Sequence, residues 1–159
     1  MVRYLALAAL AVWLGGMAVL GLVVAPAVFR AAPAAGPTGG VLAGAALTEI
    51  LHLFHLLVYA CGAVLLVCLF VIKFVGPPPR AFKLRAALVA IMLAIAVYSG
   101  VPLARQIRET QSHAAGRVGA LPGTDPQLAR MDGLHRTGMA LMAVNMTLGM
   151  VLLAWYVRE

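Results

Sequence analysis

Charge is what this sequence lacks most. Only 11% of its residues are Asp, Glu, Lys or Arg, and only 5 of 159 are acidic. Soluble domains carry about 25% charged residues. A chain so poor in charge cannot clothe a small globule in polar side chains, which excludes a soluble fold. Aromatic residues are sparse at 7%, and no basic patch with interleaved aromatics stands apart from the ends of the apolar runs. That removes the stacking platform on which nucleic-acid binding depends. The two cysteines, Cys61 and Cys68, stand seven residues apart. On one helix they are about 10.5 Å apart, too far to pair with each other. They read as small buried apolar residues. No CxxC, phosphate loop or Ser/His/Asp arrangement occurs, so a hydrolase or NTPase has no support. Internal repeats and the two-residue alternation of barrel strands are also missing.

What the chain does have is apolar sequence, 64% of it, with a mean hydropathy of +1.00. Four runs stand out: Tyr4 to Phe29, a stretch within Val41 to Val75, Leu84 to Leu103, and Met131 to Val157. Each reaches the roughly 20 residues that cross the hydrocarbon core as a helix. Helices are expected because lipid offers no partner for unpaired backbone groups. The first run is too long for the apolar region of a signal peptide and reads as a true span. The expected fold is all-α: an integral membrane four-helix up-down bundle. One transmembrane domain is expected over residues 1–159, with helices at about 4–29, 41–75, 84–109 and 126–157. Ala31 to Gly40 and Gly76-Pro77-Pro78-Pro79 read as turns, and Ser112 to Asp125 as the longest loop. Thr124-Asp125-Pro126 has the form of a helix start. Pro26 and Pro102 are expected to kink the helices they sit in.

Twelve Lys and Arg residues give a net charge of +7. They divide evenly between the two ends of such a bundle. Four of them, Lys73, Arg80, Lys83 and Arg85, crowd around one short turn, where the positive-inside bias acts most strongly. Both termini are therefore expected on the cytoplasmic side.

Ionisable residues inside spans are costly and raise a functional question by default. Counting about 20 residues back from Lys73 and from Trp155 places His52, His55 and His135 near one non-cytoplasmic boundary. At about 100° per residue, His52, His55 and Tyr59 share one face of the second helix, with Glu49 a turn outward. His135, Met139, Met142 and Met146 share a face of the fourth, with Asp132 a turn outward from His135. Carboxylate and histidine three residues apart on paired helices is one way bundles assemble metal sites. Imidazole suits several transition metals, and thioether sulfur selects Cu(I). On this reading His52, His55 and His135 are metal ligands, copper above all. Glu49, Asp132 and Tyr59 orient them or admit the ion, and Met139, Met142 and Met146 receive Cu(I) deeper in. The same residues admit haem b, with His135 and either His52 or His55 as axial ligands. They also admit a scaffold or assembly subunit without cofactor, because a methionine stripe is equally what adaptable core packing looks like. Asn145, in mid-span, is expected to hydrogen-bond across helices.

Trp13-Leu14-Gly15-Gly16-Met17, Val24-Ala25-Pro26-Ala27-Val28-Phe29 and Leu134-His135, with Asn145 ten residues beyond that histidine, together resemble a bacterial four-span membrane family of unknown function. That family is similar to a human secretory-pathway transmembrane protein linked to platinum resistance. More distantly it resembles the copper-resistance D (CopD-like) proteins and a haem-binding protoporphyrinogen oxidase family. The resemblance implies a four-helix bundle in the bacterial inner membrane with a metal or haem. It matches His135 and Asn145, whereas the pair His52/His55 departs from its pattern. The expected surroundings are the lipid bilayer, not nucleic acid. A homo-oligomer or a redox or metal-delivery partner fits the first two readings. An enzymatic role is less expected than a binding one.

Overall fold

The computed structural model describes residues 1–75, 82–113 and 126–158. All of these but Met1 and the kink at Gly36 are helical, and no strand occurs among them. The helices are α1 (Val2–Val19), α2 (Ala25–Ala31), α3 (Gly39–Val75), α4 (Phe82–Tyr98), α5 (Ala104–His113) and α6 (Pro126–Arg158). They make four apolar spans, Val2–Gly36, Gly39–Phe74, Phe82–Gln111 and Pro126–Arg158, each long enough to cross a membrane. The protein is thus a multi-pass, all-α membrane bundle. The expected turn at Gly76 to Pro79 and the cap at Asp125 lie outside the described residues, as does most of the loop from Ser112.

The prolines act through the backbone ladder. Pro26 has no N–H, and its ring crowds the carbonyl four residues back. Directly before it, Leu20–Val24 widens to a π-helical turn in which the Ala25 N–H reaches back five residues to the Leu20 carbonyl. Pro102 lies inside a second π-turn, Ser99–Leu103, between α4 and α5. In both places the span continues past the proline. The chain turns from the first span into the second through a 3₁₀ segment, Ala32–Thr38. There Gly36 adopts φ 76°, which a side chain would resist.

Each span packs on its neighbours in chain order, and the fourth closes the ring against the first. Among the described residues the diagonal pairs, first with third and second with fourth, form no packed seam. The donation from the Arg3 guanidinium to the Tyr156 carbonyl joins α1 to α6 where the chain starts and finishes, so both termini mark one end of the bundle.

Buried side chains recur at three- and four-residue steps, as one helical face requires. Examples are Ala6, Leu10, Trp13, Leu14 and Met17 on α1, and Val58, Cys61, Leu65, Cys68 and Leu69 on α3. Val89, Met92 and Ala96 on α4 and Leu152 and Tyr156 on α6 complete this core. It occupies the half of the bundle nearer the termini. Toward the far end burial thins to Ala43, Leu103 and Thr110. The rods also outrun the bilayer. At 1.5 Å per residue, the 37 residues of α3 and 33 of α6 span about 55 and 50 Å. The hydrocarbon core needs only about 30 Å.

Candidate functional site

The sequence points to the far half, so its polar side chains come first. His55 is half-buried on α3. Its Nδ1 lies 2.7 Å from the Leu51 carbonyl oxygen. A carbonyl can only accept, so Nδ1 is the donor here, and a neutral ring would keep its lone pair on Nε2. The ring stands 6.2 Å from Tyr59 and 6.3 Å from Phe54, centroid to centroid. Gly100, in the second π-turn, presses on this group: a Cβ there would strike the Tyr59 hydroxyl and the His55 ring. Tyr59 donates a long hydrogen bond, 3.5 Å, to the Ala96 carbonyl. The pair His55/Tyr59 therefore sits in the seam between the second and third spans, held by a glycine that only a bare backbone could replace.

The other expected ligands are elsewhere. His52, Glu49, Asp132 and His135 are all exposed. His55 faces Gly100, whereas Leu103, three residues further out, faces Gly138. His135 is another three residues out, so it stands about 9 Å beyond His55 along the bundle axis. His52 lies about 4.5 Å beyond His55, between the two levels. The second and fourth spans are also diagonal. Among the described residues, no three His, Cys, Asp or Glu side chains gather closely enough to hold a metal ion. Met139 points outward and is 55% exposed. The Met142 methyl lies against Gly21 in the first span's π-turn, 2.7 Å from where a Cβ would be. Met146 packs on the apolar core.

Three features of the interior escaped the sequence reading. Asn145 is 4% exposed and its Nδ2 donates to the Met92 carbonyl at 3.3 Å, the cross-helix bond expected of it. Its Oδ1, however, is buried without a partner, as is Nε1 of the fully buried Trp13. Near the termini Arg85 is 2% exposed. Its guanidinium lies 5.4 Å from the Trp155 ring and 5.0 Å from the Tyr156 ring, so cation–π contact accompanies its burial. The signal for Arg85 was its place one turn inside an apolar run, which a tally of loop charges ignores.

The family model described as "Domain of unknown function (DUF4149)" matches residues 8–115. The chain belongs to that family. The DUF4149 match covers Trp13 to Met17, Val24 to Phe29 and the His55/Tyr59/Gly100 seam, and ends before the fourth span with His135 and Asn145. No curated protein and no solved structure matches the chain significantly.

Proposed function

We propose that this DUF4149 chain is a membrane scaffold or assembly subunit, set in the bacterial inner membrane with both termini cytoplasmic. It works through its outer surfaces rather than an internal reaction centre. The carrying observation is where the polar side chains of the spans are committed. The hydroxyls of Thr48, Ser99, Thr110, Thr137 and Thr147 each return to the carbonyl four residues back on their own helix. Among the described residues, Arg3, Tyr59 and Asn145 donate across spans to backbone carbonyls. Such bonds staple helices together, which is what a structural subunit needs of its polar side chains. The orientation is supported by Arg3, Lys73, Lys83, Arg85 and Arg158 at the terminal end.

One observation favours a second reading, a transition metal (copper first) or haem b held near the far end. The Leu51 carbonyl orients the His55 ring and leaves Nε2 free, which is how a ligating imidazole is usually set. The resemblance to a metal- or haem-binding family supports a cofactor in general, though it carries His135 and not His55. His55 would then be the principal ligand, with His52 or His135 supplying the next.

Purification in detergent, loading with haem or with Cu(I), and measurement of the absorption spectrum and metal content decide between the two. The scaffold reading expects neither group to be retained. A Soret band, or stoichiometric copper lost in His55→Ala and kept in His113→Ala, would overturn it.

A further inference from the structure

Between the second and third spans runs an open apolar groove of about 500 Å³. Leu66 forms one wall; Ala90, Ala94, Val97 and Pro102 line the other. The small side chains of Ala90 and Ala94 leave the furrow. Seven residues from Leu66 on the same stripe of α3 stands Lys73, and seven from Ala90 on the same stripe of α4 stands Lys83. Seven residues are about two turns, so both lysines sit about 10.5 Å from the groove, toward the terminal end. Their neighbourhood across the seam is independently visible. The Lys73 Nζ lies 5.6 Å from the Phe74 ring of its own helix and 5.7 Å from the ring of Phe82, the residue before Lys83. Both lysines are exposed. A furrow matched to hydrocarbon thus opens beneath two exposed lysines, one on each of the two spans that form it.

We propose that an anionic phospholipid occupies this seam, its phosphate held by Lys73 and Lys83 and one acyl tail lying in the groove. Charge selects this occupant. A second copy of the chain would insert in the same orientation and bring its own exposed Lys73, Lys83 and Arg158 to the same level, cation against cation. A zwitterionic lipid would fill the groove but gain less from the lysines. Basic pockets between spans are a recurrent way of binding acidic headgroups.

The test is native mass spectrometry of the full chain from micelles carrying equal phosphatidylglycerol and phosphatidylcholine. At about fivefold per lysine near the headgroups, retention should favour phosphatidylglycerol by at least about tenfold. The double variant Lys73→Gln/Lys83→Gln should bring the ratio close to one. Ala94→Trp, which fills the furrow, should lower retention of phosphatidylglycerol with both lysines intact. Equal retention of the two lipids by the unaltered chain overturns the proposal, whatever the variants do. So does Ala94→Trp if it changes the mass of an oligomer and leaves lipid retention alone, which assigns the groove to a second copy. Should a variant fail to fold by circular dichroism, the unaltered chain still decides. Its preference must fall as salt rises if the lysines hold the phosphate.

Discussion

Asn145 and Trp13 present the same difficulty from opposite sides, one an orphan acceptor and the other an orphan donor in a sealed interior. A buried polar atom without a partner costs stability that an apolar substitute of similar shape does not. Asn145→Leu removes the bond to Met92 together with the unpaired oxygen, so it should shift unfolding by less than about 1 kcal/mol. Asn145→Ala loses the same bond and opens a void, and should cost about 2 kcal/mol or more. Trp13→Ala should cost about 3–5 kcal/mol, and Trp13→Phe much less, because the ring volume does most of the stabilising. Titration with denaturing detergent, followed by circular dichroism, measures all four. The crossing bond of Asn145 was legible in the sequence, since an amide in mid-span has few other choices. The unpaired Oδ1 was not, because it depends on which carbonyls the neighbouring helix presents.

Hydropathy located the helical elements well, because twenty apolar residues in lipid have only one economical conformation. The two π-turns were beyond its reach. Pro26 and Pro102 announce a disturbance, but whether the ladder breaks, kinks or widens depends on what packs alongside. Here Gly21 admits the Met142 methyl and Gly100 admits His55 and Tyr59, so each π-turn carries a glycine that leaves room for a side chain of a neighbouring span. A different glycine tests the seam between the first and fourth spans. At Gly149 a Cβ would meet the Leu14 side chain and, at 3.1 Å, the Met92 methyl. Gly149→Leu should therefore destabilise the bundle by about 1–3 kcal/mol through overpacking. Gly133→Leu, with nothing near its position, should be almost silent. Paired unfolding midpoints in one detergent make the comparison.

At the scale of the molecule, the histidines show why the candidate site was harder to read than the fold. A periodicity of 3.6 sorts residues around their own axis and says nothing about which way that axis is turned. It placed His52, His55 and Tyr59 on one face, yet only His55 and Tyr59 meet the third span. Depth counted from Lys73 and Trp155 made His55 and His135 level, whereas the contacts at Gly100 and Gly138 set them about two turns apart. The diagonal placement of their helices follows from ring closure, a property of the whole bundle. Orientation is also a property of the whole, and thiol labelling tests it. Cys61 and Cys68 are buried and free, so a single added cysteine reports alone. In spheroplasts, Gln127→Cys should react with an impermeant maleimide, and Arg158→Cys only after lysis. The reverse pattern would invert the assignment.

The surplus length of α3 and α6 makes the far side a pedestal. Glu49, Asp132 and Arg136, all exposed, stand on these stiff rods toward the far end. Any visitor settling on that platform meets hydrated charges carried on rods too stiff to bend toward it, so it must fit them as they stand.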